Sequence, residues 1–433
     1  MPAGWLDRLG LERPELRAWA LYDWANSAFV TVVVTAVFPI FFQKVACQGL
    51  EPTRSVVLFA LTTTISMGLA AVLSPFLGAL ADACGLRKRL LAGFMGLAVL
   101  STAGMALLSP GQWQLAGLLF ILANLGASLS FVFYDALLPH VARPEEVDRV
   151  SAAGYALGYL GGGLLLALNL TWISHPQWFG LASTGAATSL TFLSVALWWV
   201  MFSVPMFRRV SEPRPQAPAP PSLGLVLSQL GGTLRELRRY RQAWLMMLAF
   251  MIYNDGIGTI IRMATTFGSE LNLPGGALIG AILLAQVVGI PCTFLFGMLA
   301  GWTGPKRAVL GALALYVVVT VVAFRVRTSQ DFYLLAAMVG LVQGGSQALS
   351  RSLFASLIPK ARTAEFFAFF GVCEKFAGLL GPATIALLVD WTGSTRVALL
   401  AVNAFFLVGG WLLTRVDVEA GRRAVSEDPA ADF

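Results

Sequence analysis

The feature that most constrains this chain is a series of long apolar stretches that recurs along nearly its whole length. The first begins at Trp19 and reads WALYDWANSAFVTVVVTAVFPIFF. A helix needs about 20 apolar residues to cross the hydrocarbon core of a bilayer, and a composition of 57% hydrophobic and 12% charged residues suits many such helices. The stretches are continuous and do not alternate as barrel strands do. The sequence therefore predicts an all-α integral membrane protein.

Twelve transmembrane helices are predicted from these stretches. Their approximate ranges are 19–43, 55–82, 89–109, 113–138, 150–173, 179–205, 242–269, 274–302, 307–325, 331–358, 364–390 and 396–415. After the sixth span, SEPRPQAPAPPS is typical of an extended linker, and LGLVLSQLGGTLRELRRYR predicts a short amphipathic helix on the membrane surface. We expect an N-terminal six-helix bundle at 1–206, a cytoplasmic linker at 207–241, a C-terminal six-helix bundle at 242–415 and a cytoplasmic tail at 416–433.

The basic residues predict the orientation in the membrane. Of the 30 Lys and Arg residues, 22 lie on the side that holds both termini and the linker, and five lie on the other side. Loops rich in Lys and Arg stay in the cytoplasm, so both termini are expected there. The segment before Trp19 has no apolar core, so we expect no cleavable signal peptide. This topology accounts for the net charge of +7 without a nucleic-acid partner, and the expected location is the inner membrane of a bacterium.

The sequence lacks the motifs of cofactor and metal sites. Cys47, Cys84, Cys292 and Cys373 are far apart and form no CxxC pair, so neither a disulfide framework nor a metal site is indicated. No phosphate-binding loop and no pairing of a nucleophile with a base is visible. We expect no enzymatic activity, no cofactor and no metal, and a monomer in the lipid bilayer.

Two loops repeat at a constant offset. GALADACGLRKR from Gly78 matches GMLAGWTGPKR from Gly297 at an offset of 219 residues, and LLPHVARPEE from Leu137 matches LIPKARTAE from Leu357 at an offset of 220. The repeat predicts two six-span halves in parallel orientation. In transporters built this way, the substrate binds near the midplane between the halves, which rock to expose it to one side and then the other.

The loop from Gly78 to Arg89 resembles the signature loop of the major facilitator superfamily, with Asp82 in its acidic position. In that superfamily the loop couples the two halves, which implies a gating role for Asp82 and Arg87. The second copy has Gly301 in place of the acid. ALYDWANSAF, FYDALLP and YNDGIG further resemble the branch named for autophagy-related vacuolar effluxers and its bacterial members. This resemblance implies efflux of small polar solutes, with amino acids as the class for the vacuolar relatives.

Span five contains GYALGYLGGG, which is similar to a glycine-rich pattern of antiporters. Tyr159 stands where that pattern has proline, so the similarity does not by itself support antiport. The simpler interpretation is close helix packing through Gly154, Gly158 and Gly162.

Asp255 is the deepest acid predicted for the second half. It lies 14 residues after Arg241, which corresponds to about 20 Å along a helix and places it near the bilayer midplane. Arg262 follows two turns later on the same face. A charge at the centre of a spanning helix costs roughly 2.5–3.5 kcal/mol on insertion scales. We expect both residues to serve substrate binding or ion coupling, with a structural ion pair as the alternative.

Asp23, Asp135 and Arg351 are expected in one shallower layer, about 6–10 Å inside the cytoplasmic edge. An acid that faces Arg351 across the two halves would close the cytoplasmic end of a cavity. We expect Arg351 to pair with Asp135 or Asp23 when the protein faces outward. The alternatives are a static pair and side chains that extend to the membrane surface.

Further polar side chains are expected to line the cavity. They are Asn26 in span one, Tyr155 and Tyr159 in span five, and Gln343 and Gln347 in span ten. Gln343, Gln347 and Arg351 are four residues apart and therefore share one helix face. Such a stripe can also merely hold helices together. The guanidinium of Arg351 is expected to hold a substrate carboxylate in a forked pair.

Glu374 and Lys375 are adjacent in span eleven. Neighbours on a helix diverge by about 100°, so they cannot both face one point. A carboxylate in the membrane is a natural proton carrier because desolvation favours its neutral form. We expect at least one of the two in the cavity, with an interhelical salt bridge as the alternative.

Together these patterns favour a secondary active transporter of a small polar solute that works by alternating access. Proton coupling through Asp255, Glu374 or Asp23 is the expected mechanism, and Na⁺ coupling is the alternative. An exporter of amphipathic or drug-like compounds is a second interpretation. A non-transporting membrane sensor on the same scaffold is the third.

Overall fold

Helices joined by short loops form the described structure. The computed structural model describes residues 9–212, 224, 240–271, 273, 275–392 and 395–427. In chain order the helices are α1 Pro14–Ala46, α2 Pro52–Cys84, α3 Arg87–Gly104, α4 Trp113–Val141, α5 Val147–Ser174, α6 Thr184–Arg209, α7 Arg241–Glu270, α8 Gly275–Thr303, α9 Pro305–Ala323, α10 Ser329–Ala355, α11 Thr363–Thr392, α12 Val397–Thr414 and α13 Val418–Ser426.

Most of these helices are membrane spans by length and composition. Within the described ranges, eleven helices, α1–α10 and α12, are long and apolar enough to cross a bilayer. The remaining long helix, α11, has 30 residues and packs against α2, α4 and α7. We call α1–α6 the first half and α7–α12 the second half. The amphipathic helix predicted for the linker falls almost entirely outside the described residues.

The two repeated loops turn at glycines. Gly85 ends α2 with φ 65°, and Gly304 stands between α8 and α9 with φ 83°. These values lie in the left-handed region that glycine adopts without a steric penalty. Pro305 is the first residue of α9. Proline is well tolerated at this position because its missing N–H would have no partner within the helix. Each of the two loops of the predicted repeat is therefore a helix-turn-helix corner with a glycine at positive φ.

α1 departs from regular α-helix geometry in its second half. Phe29–Val37 and Phe42–Ala46 have wide π-helical turns, and the Thr35 hydroxyl donates to the Val30 carbonyl at 2.9 Å. Much of the wide region, FVTVVVTAV, is β-branched, and such side chains crowd the preceding turn of an α-helix. π-helical turns occur frequently at functional sites.

Glycines allow α5 to lie directly on α1. A Cβ added to Gly158 would lie 2.5 Å from the Ser27 hydroxyl oxygen, and one on Gly162 would lie 2.7 Å from that of Thr31. These distances are far below van der Waals contact, so larger residues would push the helices apart. The expected close packing through the glycines of span five is confirmed.

The two halves meet through equivalent glycines of the repeat. A Cβ on Gly78 of α2 would lie 2.6 Å from the carbonyl oxygen of Ala364 in α11, and a Cβ on Gly297 of α8 would lie 2.6 Å from the Cβ of Ala152 in α5. Both contacts lie near the side of the molecule on which α1 begins and α12 ends. We call this side the termini side.

Candidate functional site: a cavity between the two halves

A cavity of about 800 Å³ lies between the halves. Its base is formed by residues near the termini side, including Asp23, Asp135 and Arg351. From there the lining extends to Ile40 and Phe332, which are close to the opposite ends of α1 and α10. The cavity therefore runs through most of the depth of the helices and is closed at the termini side.

Arg351 of α10 closes the base by reaching across to the first half. Its Nη2 lies 3.1 Å from Oδ2 of Asp23, and its Nη1 lies 3.0 Å from Oδ1 of Asp135. Nε donates to the hydroxyl of Ser151 at 2.9 Å, and Nη2 donates to the carbonyl of the same residue at 3.0 Å. The side chain of Arg351 is 4% exposed. One guanidinium thus joins α10 to α1, α4 and α5.

Aromatic rings hold this guanidinium in place. Its Cζ lies 4.4 Å from the ring centroid of Tyr155 and 4.9 Å from that of Trp19. Trp19 stacks on Tyr134 with centroids 4.5 Å apart, and each ring donates a hydrogen bond to the other residue's backbone carbonyl. A cation over an aromatic face gains about 2 kcal/mol or more when desolvated. The aromatic rings at the base therefore enclose and position the Arg351 guanidinium.

A second contact between the halves is made by the loop after α2. The Asp82 carboxylate accepts hydrogen bonds from the backbone N–H groups of Ala364 at 3.1 Å and Glu365 at 2.8 Å, in the first turn of α11. Arg87 Nε lies 2.7 Å from the same carboxylate and Nη2 donates to the carbonyl of Ala361 at 3.1 Å. An acid at a helix N-terminus satisfies unpaired N–H groups and complements the helix dipole. Asp82 thus caps a helix of the other half.

Three further polar contacts help to close the cavity at the termini side. The hydroxyl of Ser352 donates to the Asp148 carboxylate at 2.5 Å, and the hydroxyl of Ser151 donates to the Ala348 carbonyl at 2.7 Å. His140 and the hydroxyl of Thr363 are 3.2 Å apart. All three join the two halves at the termini side.

The matches to known proteins agree with this architecture. The family model described as "Vacuole effluxer Atg22 like" matches residues 47–426. The chain belongs to this family. YxiO of Bacillus subtilis, described as an uncharacterized MFS-type transporter, is 36% identical over 404 residues, which cover 93% of this chain and 94% of YxiO.

Solved structures show the fold of this Atg22-like chain. XylE, a proton:xylose symporter of the major facilitator superfamily, superposes with a TM-score of 0.69 at 13% identity, over 95% of this chain and 96% of XylE. A bacterial homologue of the iron transporter ferroportin, in its outward-facing state, gives a TM-score of 0.66 at 15% identity, over 93% and 99% of the two chains. The protein therefore has the major facilitator fold, and its family and its similarity to YxiO identify it as a multi-pass membrane transporter.

Most of the polar residues singled out in the sequence line the cavity of this Atg22-like transporter. They are Asp23, Asn26, Asp135, Tyr155, Tyr159, Gln343, Gln347, Arg351 and Glu374. Asp82 and Arg87 lie outside the cavity, in the contact between the halves described above. The guanidinium of Arg351 is occupied by Asp23, Asp135 and Ser151, so in this conformation it offers no forked pair of donors to a substrate carboxylate.

Three residues expected at the substrate are elsewhere. Among the described residues, the cavity lining does not include Asp255, Arg262 or Lys375. Asp255 lies against Gly381 of α11, where an added Cβ would be 3.0 Å from Oδ1, and Arg262 Nη2 is 3.8 Å from the same oxygen. The reason is the rotation of α7 about its own axis. Its cavity face includes Ile260, Met263, Ala264 and Phe267, whereas Asp255 and Arg262 lie on another face. Asp255 and Arg262 thus form a separate, loose ion pair within α7, with Asp255 against α11.

The sequence reasoning missed several residues of the base. Trp19, Tyr134, Ser151 and Asp148 all contribute to it. One signal was present, because Tyr22-Asp23 in span one and Tyr134-Asp135 in span four are the same dipeptide. Serine gave no signal, since Ser is common in spanning helices as a packing residue.

Outside the spans, Glu146 links the first helix to the loop between α4 and α5. Its carboxylate lies 2.6 Å from Arg13 Nη2, and the backbone N–H of Arg143 donates to it at 3.2 Å. Burial acts to raise the pKa of Glu146, but the hydrogen bonds from Arg143 and Arg13 outweigh it, so the pKa lies below its ordinary value. Glu146 therefore stabilises the folded protein in its ionised form.

Proposed function

We propose that this chain is a secondary active transporter that exports a small polar solute, such as an amino acid, by alternating access. In this proposal, twelve spanning helices form two bundles, at 1–206 and 242–415. The cytoplasm of a bacterium holds both termini, the linker at 207–241 and the tail at 416–433. One observation carries this proposal. The cavity between the halves is closed at one end by ion pairs that join one half to the other, while its lining reaches the opposite ends of the helices.

The closed base acts as a gate. Because most Lys and Arg residues lie on the termini side, that side faces the cytoplasm and the conformation faces outward. Arg351 with Asp23 and Asp135 forms one part of the gate, and Asp82 with Arg87 forms the other. Both parts come apart when the halves separate at the cytoplasm. Arg351 pairs with acids of the other half. Asp82 accepts N–H groups of α11, and Arg87 donates to the Ala361 carbonyl. Contacts that cross between the halves are what a state-dependent gate requires.

Protons are the proposed coupling ion, with Glu374 and Asp255 as carriers. Glu374 lines the cavity, so it can be reached from whichever side the cavity faces. The side chain of Asp255 is fully buried, and Arg262, its ion-pair partner, lies 3.8 Å away. Acids inside membrane spans often belong to proton relays.

Export of amphipathic compounds is the second candidate. Apolar side chains form the cavity walls away from the base, among them Ile40, Ile260, Phe267, Ile282 and Leu335. Such walls would suit an apolar group on the cargo, while the polar residues at the base would suit a charged or polar group.

Transport in reconstituted vesicles tests the proposal. A thermal-shift screen of the purified protein against amino acids, peptides, sugars and nucleosides first identifies a ligand, whose accumulation is then driven by a pH gradient. We expect the double variant Glu374→Gln with Asp255→Asn to lose gradient-driven accumulation but to keep exchange of labelled for unlabelled ligand. The control Asp331→Asn changes an exposed acid that caps α10 within one half. Unchanged accumulation in the double variant removes the coupling assignment, and accumulation driven only by a Na⁺ gradient identifies the other ion.

A further inference from the structure

The cavity carries an excess of negative charge. Four charged side chains line it within the described part of the chain, namely Asp23, Asp135, Glu374 and Arg351. Three of them are acids and one is a base. Because side chains in a narrow, partly apolar cavity are poorly screened, this excess acts directly on whatever enters.

The single base is largely occupied by contacts within the protein. Arg351 uses Nη1 for Asp135, Nη2 for Asp23 and the carbonyl of Ser151, and Nε for the hydroxyl of Ser151. Its planar group is also covered by the rings of Trp19 and Tyr155. An anion that binds here would need to displace two carboxylates from a buried pair, which is strongly unfavourable.

Glu374 is the acid that remains available. It lines the cavity and its side chain is exposed there. Among the described residues, none forms an ion pair or a hydrogen bond with its carboxylate. It lies within electrostatic range of Asp135 and of Tyr155, so it faces the same space as the base. Lys375 is adjacent in sequence and within electrostatic range of Glu374, but it does not line the cavity and forms no ion pair with Glu374 within the described residues.

The surroundings of Glu374 also suit a cation that carries an apolar group. The part of the cavity near its base is lined by the aromatic rings of Phe131, Tyr155 and Tyr159. Ring faces attract cations. Farther from the base, the walls are formed by apolar side chains such as Ile260, Met263, Phe267, Ile282 and Leu335. A ligand is thus offered a carboxylate and aromatic rings at one end and an apolar surface at the other.

We propose that the cavity binds an organic cation, an ammonium group attached to an apolar body, with the Glu374 carboxylate as the partner of the ammonium. This inference rests on the proposed transport function and specifies the charge of the solute. It also explains how a proton would be exchanged for the cargo, because a proton and an ammonium group compete for the same carboxylate.

Three compounds with the same phenylethyl body separate the possible charges. Phenethylamine is a cation, phenylalanine a zwitterion and 3-phenylpropionate an anion, and isothermal titration calorimetry measures their binding to the full-length protein at neutral pH. We expect phenethylamine to bind at least about tenfold more tightly than phenylalanine, with 3-phenylpropionate weakest. A cation that binds no better than the other two compounds, or does not bind, overturns the inference.

Variants of Glu374 assign the preference to that side chain. Glu374→Gln should weaken phenethylamine binding at least about tenfold, and Glu374→Asp should weaken it less. Asp390→Asn serves as the control, because Asp390 is an exposed acid of the same helix that does not line the cavity. An unchanged cation preference in Glu374→Gln rejects the assignment. If phenylalanine is transported and phenethylamine binds no better than phenylalanine, the inference of a cationic ligand fails. The proposed transport of a polar solute then still stands.

Discussion

Replacing Asp82 by Asn tests the gate without changing the size of the side chain. The Asp82 side chain is fully buried, and its carboxylate accepts the N–H groups of Ala364 and Glu365 at the start of α11. Asp82 and Arg87 belong to the first half, whereas the two N–H groups belong to the second. The variant therefore weakens a contact that, in the proposed gate, breaks when the base opens.

The expected magnitude follows from these bonds. A hydrogen bond to a charged group contributes about 1.5–3 kcal/mol, and a negative charge at a helix N-terminus contributes roughly 0.3–1 kcal/mol. Asn retains one acceptor oxygen but not the charge. We therefore expect the closed base to lose about 2–3 kcal/mol relative to the open base, which raises the ratio of open to closed molecules roughly 30- to 150-fold.

Pulsed electron paramagnetic resonance measures this ratio. Spin labels at Arg209 and Thr303, which are exposed at the ends of α6 and α8 on the termini side, report the separation of the halves in a background whose four native cysteines are replaced by serine. The control Asp331→Asn removes an acid that caps α10 from within the same half. An Asp82→Asn distance distribution equal to that of the parent, or an equal shift in the control, would refute the reasoning.

Three further outcomes are expected. Gly158→Ala places a Cβ 2.5 Å from the Ser27 hydroxyl, so the melting temperature should fall by an amount equivalent to about 1–3 kcal/mol, and Ser27→Ala should restore most of it. Arg351→Gln leaves the buried Asp23 and the partly buried Asp135 without their cation, so transport should fall at least about tenfold and the melting temperature should drop. The pKa of Glu146 is depressed by folding, so its stabilisation is complete above its ordinary pKa of about 4.3 and is lost as the pH falls through the lower folded value. The melting temperatures of Glu146→Gln and the parent should then converge in acid.

Each of these outcomes can fail in a distinct way. A melting temperature of Gly158→Ala equal to that of the parent contradicts the close approach of α5 to α1. Normal transport by Arg351→Gln shows that the pairs at the base are dispensable. A stability difference between Glu146→Gln and the parent that persists unchanged in acid shows that the ionised form is not what stabilises the fold.

Helix phase is the main reason why part of the site could not be read from the sequence. Depth along a helix follows from counting residues, so Asp255 and Glu374 both qualified as membrane-embedded acids. Which way each points depends on how its helix is rotated against its neighbours. α11 turns Glu374 toward the cavity, whereas α7 turns Asp255 toward Gly381 of α11.

The partners of Arg351 show the same limit. The layer it shares with Asp23 and Asp135 was predictable from their distances to the helix ends. That it binds both acids and Ser151 together, between two aromatic rings, depends on the simultaneous positions of α1, α4 and α5. With its guanidinium occupied, Arg351 offers no forked pair to a substrate carboxylate in this conformation, and the ligand group that we propose is instead a cation.

The sequence by itself determined the membrane class, the approximate positions of the spans and the repeat of two halves, because hydrophobic length and loop motifs are local properties of the chain. Only the tertiary structure decided which charges are paired and which remain open to the cavity. Pairing requires atoms from helices far apart in sequence to meet within about 3 Å, and that condition is set by packing rather than by any single segment.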